Sequence, residues 1–366
     1  MTQRIADAFN WQFLIVVVAL LFVGLVNLYS AVHVWEEGGA LTLFWSQLVW
    51  VALGVGLMVV MTFLDYRVLK RLAPAFHIAV ILLLVATVIF GTVVRGAKGW
   101  LKVGPVSLQP AEFAKISFIF LASRYFGNNP QPDGYGIAEL WKPFLFMLVP
   151  FGLILLQGDM GSALFLILIF GSMALFAGIQ RRTLITFAVL VLAAGAVTYT
   201  FGLKEYQRSR IESFLHPEAD IRGSGYQLMQ SKIAVGSGMV FGQGYLKGNI
   251  NKLRYLPERH TDFIFPVLAE EWGFAGSLVV LGLYASLLLI GVEIGAKARD
   301  RFGMFLGIGI VAMLFWQLTI NLGGVLGLMP LTGVTLPLLS YGGSSVVATL
   351  MSLGVLLSIS LRRFMF

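Results

Sequence analysis

The chain has 366 residues, 58% of them apolar and only 12% charged, with a mean hydropathy of +0.85 and a formal charge of +8. That balance excludes a soluble globular domain and specifies an integral membrane protein, because a bilayer core ~30 Å thick demands about 20 apolar residues per helix. Having no cysteine, the chain also has no disulfide, thiol nucleophile or thiolate metal site.

Apolar runs predict ten spans: Trp11 to Ala31, Leu43 to Phe63, Leu72 to Val94, Ala111 to Tyr125, a short one at Trp141 to Leu156, Gly161 to Ile179, Leu184 to Phe201, Phe274 to Gly295, Phe302 to Leu322 and Leu338 to Leu361. The expected fold is an all-α polytopic membrane protein, one transmembrane domain over residues 1–366. Lys and Arg set its orientation. With the N-terminus inside, the inner loops hold Arg4, Arg67, Lys70, Arg71, Arg124, Lys142, Arg181, Arg182, Lys297, Arg299, Arg301, Arg362 and Arg363, while the short outer loops hold Arg95, Lys98 and Lys102. Both termini are therefore expected in the cytoplasm. The first run is long enough to span and lacks a clear cleavage site, so it is expected to stay as an anchor.

One outer segment, Lys204 to Asp262, is too long for a simple connection. It carries nine Lys or Arg against five carboxylates before Asp262. This suits either a loop lying over anionic headgroups or an anionic substrate. Within it, Ser224 to Ala234 has helical spacing, with Tyr226, Met229 and Ile233 on one face, and could lie along the membrane surface. The glycine-rich run Gly236 to Gly248 lacks the Gly-Lys-Ser/Thr and strand context of a phosphate loop, and is read as a turning loop.

Charge inside or beside a span requires a partner, water or a function. Three clusters qualify. Glu112 and Lys115 lie three apart on one face of the fourth span, close enough to pair. Asp159 sits in the tight connection before the sixth span, where it could serve as a helix cap. Arg259, His260 and Asp262 immediately precede the eighth; His-x-Asp alone is a weak metal pattern, and Asp262 or Thr261 could be a cap. All three clusters fall at the outer end of the bundle, whereas a secondary transporter more typically holds its ionisable residues near the midplane.

The chain resembles the SEDS family (shape, elongation, division and sporulation), within it the rod-shape-determining branch. The motifs that carry the resemblance are GAKGWL with QPAEFAK at 96 to 115, QGDMG at 157 to 161, YQRSRI at 206 to 211, GSGYQLMQSKIAVGSG at 223 to 238, LPERHTDFIFPVLAEEWG at 256 to 273 and PLLSYGGSS at 337 to 345. It implies a peptidoglycan glycosyltransferase of the bacterial cytoplasmic membrane that polymerises lipid II at the outer face during cell elongation. The catalytic aspartate falls on Asp262. Supporting positions of the family fall on Glu112, Lys115 and Asp159, and Arg259, His260, Lys98, Ser340 and Ser344 are further candidates for substrate binding or support. Two positions depart from the family pattern: Gly99 stands where Arg is common, leaving Lys98, Lys102 or Arg95 to serve that region, and Gly158 stands where Pro is common.

The implied reaction joins a polyprenyl-pyrophosphate-linked glycan to the sugar hydroxyl of a second lipid-linked unit. Asp262 would accept the hydroxyl proton, helped by partial burial against Phe263 and Phe265. Lys115, Arg259 and the basic outer segment are candidates to meet the diphosphate, with Mg²⁺ or Mn²⁺ as a possible cofactor whose ligands stay open. Lipid tails need a groove, for which the Pro150-containing fifth span offers one wall. The expected partners are lipid II, membrane lipids and a class B penicillin-binding protein supplying the transpeptidase, with no nucleic acid. A flippase for the lipid-linked precursor and a non-catalytic scaffold are the alternatives.

Overall fold

The computed structural model describes residues 9–33, 40–94, 96–104, 106–197, 199, 212–220, 223–253 and 255–363. The helices α1 (Trp11–His33), α2 (Ala40–Phe63), α3 (Tyr66–Phe90), α4 (Pro110–Asn128), α5 (Ile137–Leu156), α6 (Met160–Ala177) and α7 (Arg181–Val197) precede the outer segment. That segment contains α8 (Ser224–Ser237), and α9 (Ile264–Ala296), α10 (Arg301–Val325) and α11 (Gly343–Arg362) complete the bundle. Each of the ten expected spans has its helix. Eight are long and apolar enough to cross a membrane. The exceptions are α4, which carries Glu112, Lys115 and Arg124, and α7, whose described part has 17 residues.

Local chemistry sets the helix starts. Asp65 caps α3 by accepting from Arg67 N, Asp300 caps α10 by accepting from Gly303 N, and Pro110 opens α4, where its missing N–H costs nothing. Burial then sorts the bundle. The span window of α11 is 94% buried and that of α2 only 22%, so α11 is a central post and α2 an outer wall. Small residues let α11 sit there: Ser344, Ser345, Ala348, Ser352 and Ser358 are all buried. Around it α10 packs on α4, α6 and α9, α3 packs on α4, and α9 packs on α1. The fifth helix buries Leu140, Pro143, Met147, Pro150 and Ile154, so Pro150 faces the bundle interior.

Several boundaries and features differ from the sequence reading. The third span stops at Phe90, and the residues beyond enter an antiparallel sheet, β1 (Thr92–Val94), β2 (Ala97–Val103) and β3 (Val106–Leu108), that the all-α expectation lacked. Leu101 pairs with Leu108 and Thr92 with Trp100. The last helix starts at Gly343 rather than Leu338, because Leu338 has φ 66° and the preceding chain is irregular. The eighth span begins ten residues early, at Ile264, but breaks at Gly273, which has φ 67° and ψ −165°.

That break explains the glycine-rich run. Residues 239–244 lie against it: Phe274 N and Ala275 N donate to Met239 O and Val240 O, while Gln243 N and Gly244 N donate to Glu270 O and Glu271 O. The run thus supplies the backbone partners that the interrupted helix needs. A β-carbon on Gly273 would lie 2.3 Å from Gly242 N, so neither the φ nor the approach tolerates a side chain. The turning-loop reading holds. The buried face of α8 is Gly225, Leu228, Ser231 and Ala234, with Ser231 Oγ donating to Val325 O at 2.7 Å. Met229 and Ile233 are exposed.

Candidate active site

The site is assembled around an irregular re-entrant stretch, residues 326–342, at the outer end of α10 and α11. Three consecutive carbonyls of the segment before α9 are held, two by this stretch and one by α10. His260 O accepts from Tyr341 N at 2.8 Å, Thr261 O accepts from Ser340 Oγ at 2.6 Å, and Asp262 O accepts from Asn321 Nδ2 at 3.0 Å. Just beyond, Ile264 O accepts from Asn27 Nδ2 at 2.9 Å. Ser340 Oγ also accepts from Leu336 N at 2.8 Å, so the hydroxyl bridges the two segments.

The side chains divide accordingly. Phe263 and Phe265 are buried, Asp262 is partly exposed, and no side chain caps α9, whose N-cap is Phe263. Asp262 thus stands one residue before the helix cap, beside the buried Phe263. His260 is half-buried, edge-on to Tyr341 with ring centroids 5.9 Å apart, and its Nε2 lies 3.9 Å from Glu258 Oε2. Arg259 is buried. Glu258, at φ 25°, turns the chain here, accepting from Thr261 N and Phe263 N.

Other polar contacts link Asp159 to the first turn of α11 and pair Glu112 with Lys115. Gln109 N donates to Ser344 Oγ at 2.9 Å, and Gln109 Nε2 donates to Asp159 Oδ2 at 3.1 Å. Asp159 also caps α6, accepting from Ser162 N at 2.9 Å and from Ser162 Oγ at 2.7 Å. Next to Ser344, Ser345 Oγ is 2.9 Å from Thr335 Oγ1. One turn into α4, Lys115 Nζ sits 2.9 and 3.0 Å from the two Glu112 carboxylate oxygens and 5.1 Å from the Phe165 ring centroid. Lys115 is 1% exposed, which closes its charge onto Glu112.

Lys98 is turned elsewhere. Its ammonium donates to Ile89 O, in the last turn of α3, although its backbone N donates to Gln157 O next to the Asp159 turn. Gly99 has open space where a β-carbon would be, and Gly158 adopts φ 83°, which a proline ring could not. Arg95 and the motif at 206–211 lie outside the described residues. Among the described residues no three His, Asp or Glu side chains converge to hold a metal ion.

Sequence reasoning missed Asn321, Gln109 and Asn27. Asn27 and Asn321 carried a signal, since each is an amide within a largely apolar span.

A family model described as "Cell cycle protein", covering FtsW, RodA and SpoVE, matches residues 10–364. Among curated relatives, the peptidoglycan glycosyltransferase MrdB of Escherichia coli (strain K12) is 38% identical over 339 residues, 92% of this chain and 91% of that one. The peptidoglycan glycosyltransferase RodA of Treponema pallidum (strain Nichols) is 31% identical over 99% of this chain and 100% of its own length. Among solved structures, a chain from a peptidoglycan synthase complex aligns with TM-score 0.82 and 33% identity over 98% of this chain and 99% of that one. The rod shape determining protein RodA of Thermus thermophilus aligns with TM-score 0.72 and 30% identity over 98% of each chain. The chain belongs to the FtsW/RodA/SpoVE family, the SEDS proteins.

Proposed function

We propose that Asp262 is the general base of a glycosyl transfer carried out at the outer headgroup level. The chain is a peptidoglycan glycosyltransferase of the cytoplasmic membrane that polymerises lipid II into glycan strands. The observation that carries the assignment of Asp262 is its presentation: a partly exposed carboxylate on a segment whose carbonyls at 260, 261 and 262 are each held by a hydrogen bond. A base held in place contributes about 10²- to 10⁴-fold when the acceptor hydroxyl comes within hydrogen-bond reach.

In this reading the acceptor hydroxyl gives its proton to Asp262 as its oxygen attacks the anomeric carbon of the donor. The bond from that carbon to the diphosphate breaks, and the polyprenyl diphosphate leaves. Lys115 is committed to Glu112, so the pair's role is to shape α4 beneath the site. An exposed cation next to the re-entrant stretch is Lys232, which packs over Gly327 at the end of α10. A helix C-terminus favours a cation there. Lys232 is our candidate to meet the departing diphosphate. Mg²⁺ or Mn²⁺, if used, would take most of its ligands from phosphate oxygens, since the described residues offer no three-ligand cluster. No step above is routed through such an ion. The partner we infer is a class B penicillin-binding protein, since the sequence resemblance implies one and one structural match comes from a peptidoglycan synthase complex.

The experiment is polymerisation of purified lipid II in detergent by the purified chain, alone and with a class B penicillin-binding protein. Glycan formation is expected. Absence of glycan under both conditions, with lipid II moved across liposome membranes by the same preparation, would put the flippase reading in its place.

A further inference from the structure

Asn321 lies in α10, 59 residues from Asp262 in sequence, and is 5% exposed. Its Nδ2 donates to two carbonyls at once, Asp262 O at 3.0 Å and Val334 O at 2.6 Å. One amide group therefore joins three elements: the rigid α10, the re-entrant stretch and the backbone of the residue assigned as the base. Both of its N–H bonds are used. Rotating the amide by half a turn would set its oxygen against two carbonyl oxygens, so the orientation is fixed by repulsion as well as attraction. In the present orientation Oδ1 is buried and accepts nothing among the described residues. A buried orphan oxygen is unfavourable, and it is retained here because the nitrogen serves both carbonyls.

We propose that Asn321 is a positioning residue for Asp262, setting the height of its carboxylate above α9 without touching substrate; this rests on the assignment of Asp262 as the base. The alternative is that Asn321 only ties the loop 326–342 to α10, which would make it a stability residue. Rate and affinity separate the two. A displaced base lowers turnover while leaving the groups that bind lipid II where they were.

The test compares the parent with Asn321→Leu, Asn321→Gln and Asp262→Asn, each purified as the full chain with a class B penicillin-binding protein and given lipid II in detergent. Leu keeps the branched shape and removes both donors. The expected result for Asn321→Leu is a fall in kcat of about 10- to 100-fold with KM for lipid II within about threefold of the parent. Asn321→Gln, which keeps the NH₂ group one methylene further out, should recover part of kcat. Adding Asn321→Leu to Asp262→Asn should slow the residual reaction no further. Parental kcat in Asn321→Leu would overturn the proposal, and so would a joint loss of kcat, KM and thermal stability with no recovery by Gln. Should Asn321→Leu fail to fold, Ser340→Ala removes the hydrogen bond to Thr261 O and must show the same split, or the proposal falls. If Asp262→Asn keeps the parental rate, the base assignment itself is wrong. If Asp262→Asn is inactive and Asn321→Leu is not impaired, only the positioning role is lost.

Discussion

The two ends of the bundle use polar side chains in different ways. At the cytoplasmic end the charges serve the helices. Asp65 and Asp300 cap α3 and α10, Tyr66 OH donates to Asp300 Oδ2 at 2.9 Å, and Arg362 Nη1 donates to Thr62 O at 3.1 Å and Ser358 Oγ at 2.7 Å. At the outer end Asp159 still caps α6, but around Asp262 neutral groups do the fastening. Asn27, Asn321, Ser340 and the Tyr341 N–H donate to the backbone carbonyls of 260–262 and 264, and α9 starts at Phe263 without a side-chain cap. The segment that carries the proposed base is thus fixed through its backbone by neutral groups of three other segments.

Breaking the buried pair at the outer end should have the largest effect on stability. Lys115→Ala strands Glu112 among buried side chains, at a cost of about 3 to 5 kcal/mol. A thermal-unfolding scan should show it as a large drop. An unchanged scan with unchanged lipid II binding would mean that Glu112 and Lys115 belong to neither the core nor the site.

Tyr66→Phe sharpens the contrast from the other end. It removes the hydroxyl bonded to Asp300 and should cost about 0.5 to 1.5 kcal/mol, with the polymerisation rate unchanged. A fall in rate without loss of stability would show that the cytoplasmic network reaches the site, and the division drawn above would fail.

The smallest effect concerns pH in the outer segment. Asp220 accepts from Ser213 Oγ at 2.7 Å, Gly223 N at 2.8 Å and Gly225 N at 3.1 Å. These bonds, that from Ser213 first, hold its pKa below the usual carboxylate value. A carboxylate with a depressed native pKa contributes stability that is fully present above its unfolded pKa and is lost as pH falls through the native value. Hydrogen exchange at Gly223 and Gly225 should therefore be steady from neutral pH down to the ordinary carboxylate range and lose protection only below it. Loss of protection near neutral pH would contradict the assignment.

The helices were readable because a bilayer forces each crossing to be an unbroken apolar run. Asp159, Asp262 and the Glu112–Lys115 pair were readable because charge beside such runs is conspicuous. The sheet at 92–108 was not, since its strands are short and broken by Gly96 and Gly104. The fastenings were not readable either. Asn321 and Ser340 bind backbone carbonyls 59 and 79 residues away, and every residue has a carbonyl, so nothing in the partner's identity marks it. The Gly273 break was hidden for a related reason: its partners are the backbone groups of residues 239–244.

The central claim is that Asp262 acts as the base, and the most direct measurement is the rate of glycan formation from lipid II in detergent by Asp262→Asn. Asn keeps the size and much of the hydrogen bonding but cannot take the proton. The account predicts loss of polymerisation with expression, thermal stability and lipid II binding close to the parent. Polymerisation by Asp262→Asn at the parental rate would contradict it.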